Sequence, residues 1–365
     1  MNQKKSDLLE PVSVEEFGQL PGGESVKIYT LSNKHGMKLK ILNYGAIISE
    51  VWVPKQNGEL VNVVLGFDNL PQYLAKHPRF GSSIGRYANR IATASFDLDG
   101  EHYKLAANNG SNCIHGGLKG FDKCLWETLG TSINANAACL QLHYFSKDME
   151  EGFPGNLDLN IEFSLTDANE LKIKYTACSD KATPVNFTNH SYFNLKGAGN
   201  GNILDHLAEF RSDKYTVLDE NSVPTGEIAS VENTPFDFRK ACSIASQIEK
   251  LAGGFDINYV VSAKSCIVDA LDAQPEKLDL LATVTEAGSG LKMECFSDQP
   301  GFQFFTANGL NGSISGNGGS YMQYAGFCIE TQHFADSVHH PQFPNTILRP
   351  GQEFRSTTVY KFSSN

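Results

Sequence analysis

Apolar and polar residues alternate with a period of two along most of the chain, the spacing of strands whose successive side chains face opposite sides of a sheet. Leu157, Leu159, Ile161, Phe163 and Leu165 alternate with mostly polar neighbours, and the pattern resumes at Leu171, Ile173, Tyr175 and Ala177. This predicts a long hairpin with one apolar face. A second hairpin is predicted over 96–103. Its Asp99-Gly100 pair suits a two-residue turn with positive φ at both positions. That turn would set Leu98 opposite Glu101 and Phe96 opposite Tyr103, an aromatic cross-strand pair. Further strands are predicted over 37–42, 47–53, 60–65, 278–285, 291–296, 327–329 and 358–362. Helical spacing is limited to 70–77 and to Ile244, Ile248 and Leu251. Glycine and proline are spread as turn punctuation and do not pool in a linker. The expectation is one all-β domain over 1–365, a large antiparallel β-sandwich with few short helices, preceded by a polar N-terminal extension over 1–14.

At 365 residues with 41% hydrophobic composition, the chain can bury a sizeable core. Its 30 Lys+Arg against 41 Asp+Glu give a net charge of −11, which argues against nucleic-acid or anionic-membrane partners. No segment approaches the ~20 apolar residues of a spanning helix. The Lys4-Lys5 pair is not followed by the apolar run of a signal peptide. A cytoplasmic protein is expected. None of the eight cysteines forms a CxxC pair, so zinc-knuckle and redox motifs are not expected. Cys139, Cys178, Cys295 and Cys328 fall in strand-like runs, where a free thiol behaves as a small hydrophobe.

Four segments place titratable residues beside glycine and aromatics. In GRYANRI (85–91), Arg86 and Arg90 could present a fork of donors to an oxygen-rich ligand; the ordinary alternative is a pair bonding loop carbonyls. In NCIHGG (112–117), His115 precedes two glycines that let the backbone approach a ligand. In PVNFTNHSYFNL (184–195), a strand would put Asn186, Thr188, His190, Tyr192 and Asn194 on one uncharged, hydrogen-bonding face. That suits a concave sugar-type site, the alternative being a polar edge strand. In GFCIETQHF (326–334), Glu330 follows an apolar strand, either as a strand-end acid or as a buried carboxylate with a tuned pKa. His333, His339 and His340 lack the spacing of a metal site, so neither a metal nor a cofactor is expected.

Taken together, these segments closely resemble the aldose 1-epimerase family, the galactose mutarotases. The resemblance extends to SNCIHGGLKGFDKCLW (111–126), EEGFPGNL (150–157), TPVNFTNHSYFNLKG (183–197), GFDINYV (254–260), DQPGFQFFT (298–306) and the stretch 326–354. It runs through about nine-tenths of the chain. It implies a mutarotase-type β-sandwich with an aldose in an open cleft. It also implies His190 as general acid and Glu330 as general base, with Asn89, Arg90, His115, Tyr192, Asp256 and Gln303 binding the sugar. A monomer or a homodimer is compatible with it. One departure is Ile257, where many members carry His after the Asp of the GFD segment.

Mutarotation protonates the ring oxygen O5 while the anomeric hydroxyl O1 loses its proton. It therefore needs one acid and one base beside C1. Ordinary values of ~4.3 for Glu and ~6.5 for His give the correct pair between them. Mutual attraction would widen that window, with Glu330 on the acid limb and His190 on the basic limb. The competing expectations are a glycosidase using Glu330 and Asp256 and a non-catalytic carbohydrate-binding module on the same sandwich. The preferred sugar is not legible.

Overall fold

The structure is a computed structural model that describes residues 11–134, 136–251, 253–262, 264–270 and 277–364. Its three large sheets are antiparallel throughout. The first runs in sequence order from Val12–Gln19 to Leu60–Asn62. It therefore begins inside the segment expected as an extension. The second, ten-stranded, is built around the long hairpin Leu157–Thr166 and Glu170–Ser179. The third has five strands in the order Pro224–Ser230, Lys214–Leu218, Asp256–Val260, Gly301–Phe305 and Cys328–Gln332.

The alternation places these sheets. Leu157, Leu159, Ile161, Phe163 and Leu165 are all buried, as are Leu171, Ile173, Tyr175 and Ala177, and they share one core with Leu31, Leu39 and Ile41 of the first sheet. The third sheet packs its apolar face against the second: the Phe210 ring lies 5.3 Å from Phe302 and 5.0 Å from Phe304. The Tyr360 hydroxyl donates to the Ile329 carbonyl at 2.7 Å. This is a sandwich whose third sheet has a second, polar face left for other work.

The Asp99-Gly100 turn has positive φ at both residues (53° and 87°) and the expected register. The Phe96 and Tyr103 rings stack at 5.3 Å. Other elements depart from expectation for local reasons. The helix Leu70–Leu74 is capped by Asn69 and stops short of His77: Ala75 is already extended, and Pro78 disfavours helical backbone at His77. The strand Leu60–Asn62 ends early because Leu65 N–H donates to Tyr192 O, which draws the chain toward the His190 segment. The C-terminal strand Gln352–Ser364 is far longer than its apolar part, since it is paired on both sides. Cys178 is exposed, unlike the other three strand cysteines, which are buried. Ala177 takes the inward position, so period two turns Cys178 outward.

Candidate active site

Three adjacent strands of the third sheet align a row of functional side chains. Gln303 pairs with Glu330 on one side and with Asn258 on the other, and Phe305 pairs with Cys328 and Asp256. All six lie on the polar face. Ile257, Tyr259, Phe302, Phe304 and Ile329 alternate into the core behind it. Ile257 thus points away from the site, and its substitution for the family's His leaves Asp256 in place.

The His190 segment faces this row. Its strand content is two short pieces, Thr183–Pro184 and Thr188–Asn189, the latter paired with Ser83–Ile84. His190 itself is clamped by its backbone, donating to Ser82 O at 2.9 Å and accepting from Gly81 N–H at 3.0 Å. Gly81 is required there: its φ is +67° and a Cβ would lie 1.9 Å from Ile48 O. The expected polar face of this segment is instead used up internally. The Asn186 amide bonds Ala88 O, His333 O and His333 N, and Asn194 donates to Ala325 O. These amides satisfy buried loop backbone, which costs free energy if left unpaired.

His190 is left with its ring in the cleft. Nε2 lies 3.7 Å from Glu330 Oε1, and Nδ1 lies 3.5 Å from Cys328 Sγ. The ring stacks on Tyr192 at 4.9 Å. Tyr192 is buried and gives its hydroxyl to Pro78 O at 3.0 Å. Burial holds Glu330 well above the usual carboxylate range, with Asp256 adding to it and Arg79 and Arg90 opposing. Burial also pushes His190 down to about 3, and Arg79 pushes it further in that direction. The expectation that attraction would raise His190 therefore fails: loss of solvent outweighs it. The two groups favour sharing one proton held on Glu330.

His115 lies 5.4 Å from His190, ring to ring. Its Nδ1 accepts from Asn89 N–H at 3.2 Å, so the neutral ring carries its proton on Nε2. Burial first, then Arg79, hold it well below the ordinary imidazole value. Gly116 makes this loop possible, since a Cβ there would meet Gly85 O at 2.0 Å. Asn89 Oδ1 accepts from Arg90 N–H at 2.9 Å. Arg90 donates from Nε to Asn109 Oδ1 at 3.1 Å, and its Nη1 is 3.7 Å from Asp256 Oδ2. Asp256 Oδ1 accepts from Gln303 Nε2 at 2.6 Å. Asn89, Arg90, His115, Asp256 and Gln303 thus form a linked rim beside the His190–Glu330 pair.

The two arginines of GRYANRI part company. Arg86 is 2% exposed. It donates to Pro154 O, Gly155 O, Thr183 Oγ1 and Ser146 Oγ at 2.6–3.1 Å. It staples loops together and presents nothing to a ligand. His333 is likewise structural, with Nδ1 3.0 Å from Gln299 Oε1, while His339 and His340 both turn to Asp336. Among the described residues, the one group able to gather around a cation is His190, Cys328 and Glu330, whose ligand atoms lie within 4.8 Å of one another. Sequence reasoning passed over Cys328 and Phe305. Period-two spacing from Glu330 and Gln303 would have put both on the site face.

The family model described as Aldose 1-epimerase matches residues 27–361. The chain belongs to the aldose 1-epimerase family. It is 43% identical to the galactose mutarotase of Bos taurus over 350 residues, which cover 95% of this chain and 97% of that protein. It is 34% identical to the aldose 1-epimerase of Escherichia coli K12, covering 94% and 96%. Among solved structures it superposes on the galactose 1-epimerase of Lactobacillus acidophilus with a TM-score of 0.81 at 26% identity, covering 97% and 99%. Aldose 1-epimerases are isomerases, and the fold described above is shared with that solved structure.

Proposed function

We propose that this chain is a mutarotase that interconverts the α and β anomers of aldohexoses such as D-galactose and D-glucose, with His190 as acid and Glu330 as base. The observation that carries the reading is the buried His190–Glu330 pair at 3.7 Å, set in a family frame and flanked by a rim of donors and acceptors.

Ring opening begins with Glu330 ionised and His190 protonated. Glu330 takes the O1 proton as the C1–O5 bond breaks, and His190 gives its proton to O5. The open aldehyde then faces protonated Glu330 and neutral His190. The C1–C2 bond rotates, and closure runs the same transfers backward onto the other face of C1. The pair starts and ends with one proton, and no bond to the protein forms. Burial favours the neutral arrangement, which is the one complementary to the open-chain sugar. His115 Nε2–H, Asn89, Arg90, Asp256 and Gln303 orient the hydroxyls. Phe305, 6.3 Å from the His190 ring, supplies an apolar wall. Tyr192 supports His190 from behind.

Activity requires exactly one proton on the pair, so its pH limits follow from the two shifts. The acid limb belongs to His190 gaining a second proton at about 3, and the alkaline limb to Glu330 losing the shared one. This reverses the assignment expected from ordinary values. We expect the acid limb of kcat/KM to lie well below the ordinary imidazole value and the alkaline limb to be displaced above the ordinary carboxylate value; an acid limb centred at about pH 6 or above contradicts it. Gln303→Ala should raise KM about tenfold, because it removes a hydrogen bond to the Asp256 carboxylate that holds the rim. An unchanged KM in initial-rate assays would remove Gln303 from the site.

Glycoside hydrolysis fits less well, because it needs a second free carboxylate. Asp256 is instead tied to Gln303 and Arg90. A binding module has no use for a buried acid–base pair. We therefore expect the protein to accelerate α–β exchange in galactose, followed by proton NMR, and to release no aryl alcohol from aryl galactosides. Aryl release without anomer exchange overturns the proposal. The whole chain serves as one catalytic domain, as monomer or homodimer. A cytoplasmic setting is supported by eight free thiols.

A further inference from the structure

Arg79 belongs to none of the segments that carry the mechanism above, yet it lies against the site. It follows Pro78, whose carbonyl takes the Tyr192 hydroxyl, and precedes by two residues Gly81, whose N–H holds His190 O. Its backbone is left-handed, with φ at 63°. Its Nε lies 3.5 Å from Asp122 Oδ2. Asp122 is buried in the turn Phe121–Lys123, which follows the His115 loop and is pinned by Phe121 N–H donating to Gly85 O at 3.1 Å. The guanidinium therefore bridges the two loops that carry His190 and His115.

The bridge is incomplete. Arg79 Nε makes no hydrogen bond, and Asp122 Oδ1 makes none. The terminal nitrogens have no hydrogen-bond partner among the described residues, and the side chain is 24% exposed. A guanidinium has five N–H donors in a fixed fork, and the one on Nε is buried unpaired, which is costly. Of the charged groups that act on His115 and on His190, Arg79 acts most strongly on both. A polyhydroxylated ligand in this cleft supplies the acceptors that the protein withholds.

We propose that Arg79 is a further sugar-binding residue, whose terminal nitrogens donate to one hydroxyl of the aldose bound between His115, His190 and Glu330. The inference rests on the reading of this cleft as the aldose site. Asp122 holds the fork in place, and the contacted hydroxyl is one that the reaction leaves intact, since O1 and O5 belong to the acid–base pair.

The test compares wild type, Arg79→Met and Arg79→Lys on galactose and on its 2-, 3-, 4- and 6-deoxy analogues. Mutarotation gives kcat and KM, calorimetry gives binding, and thermal unfolding checks the fold. Arg79→Met should raise KM and Kd for galactose about tenfold or more, the effect of losing a charged hydrogen bond. Arg79→Lys should recover part of that loss. For one deoxy sugar the substitution should cost nothing further, because the partner hydroxyl is already gone. Equal losses on every sugar, or no loss on galactose, overturn the inference while the mutarotase reading stands. Binding that depends on Arg79 without any mutarotation supports the inference and overturns that reading. No sugar binding by folded wild type overturns both.

Discussion

Glu330→Gln and His190→Asn are each expected to lower kcat for anomer exchange by about 10²–10⁴-fold, the usual contribution of a positioned acid or base. Gln keeps the shape of Glu330 and its place on the strand Cys328–Gln332, but it cannot accept the O1 proton. Asn removes the imidazole that faces Glu330 and passes a proton to O5. Neither change should unfold the protein. Glu330 is buried and favours its neutral form, so an amide of the same shape adds no buried charge. The expected result is a large loss of kcat with a Tm equal to or above that of wild type. A Tm drop that tracks the lost activity would make Glu330 a structural residue. The double variant should be little worse than either single one, because the two groups act as a unit.

Arg86→Met is expected to produce the largest loss of stability of any single substitution in the GRYANRI segment. Its guanidinium holds the 146–155 loop and Thr183 to the irregular segment that leads into Asn89 and Arg90. Burial lowers its pKa to about 10, with Glu150 the first of the charges that oppose the shift; at neutral pH it stays charged. Removing it strands carbonyl oxygens and leaves Glu150 without a counter-charge. Breaking a buried, hydrogen-bonded charge of this kind costs about 3–5 kcal/mol, which corresponds to roughly 4–7 °C in Tm for a chain of this size. Arg86→Lys should restore a minority of that loss, since an ammonium cannot fork between carbonyls. Calorimetry or circular dichroism reads the shift. A change below about 1 °C would mean that the loops are held by something else.

The sandwich was legible wherever one strand's own residues decide its face. The hairpin of Leu157–Thr166 and Glu170–Ser179 and the Asp99-Gly100 turn follow from alternation and turn chemistry alone. Motif resemblance picked out His190, Glu330, His115 and the Asp256–Gln303 pair, and the fold brings them together. What escaped the sequence is non-local. Arg86 and Arg90 look alike in GRYANRI, and only carbonyls about seventy residues downstream decide that one is a staple. Asn186 and Asn194 resembled sugar ligands until distant loops claimed them. The pKa order of Glu330 and His190 reverses because solvent exclusion is set by the whole cleft. Arg79 carries no local signal, since its partner Asp122 comes from another loop.

The central claim is tested most directly by polarimetry on freshly dissolved α-D-galactose and α-D-glucose at neutral pH, with wild type and Glu330→Gln side by side. The account predicts that wild type speeds the approach to the equilibrium rotation far beyond the spontaneous rate, and that the variant, equally folded, does so about 10²–10⁴-fold less. Spontaneous rates with wild type on both sugars, or equal rates for wild type and Glu330→Gln, would contradict it.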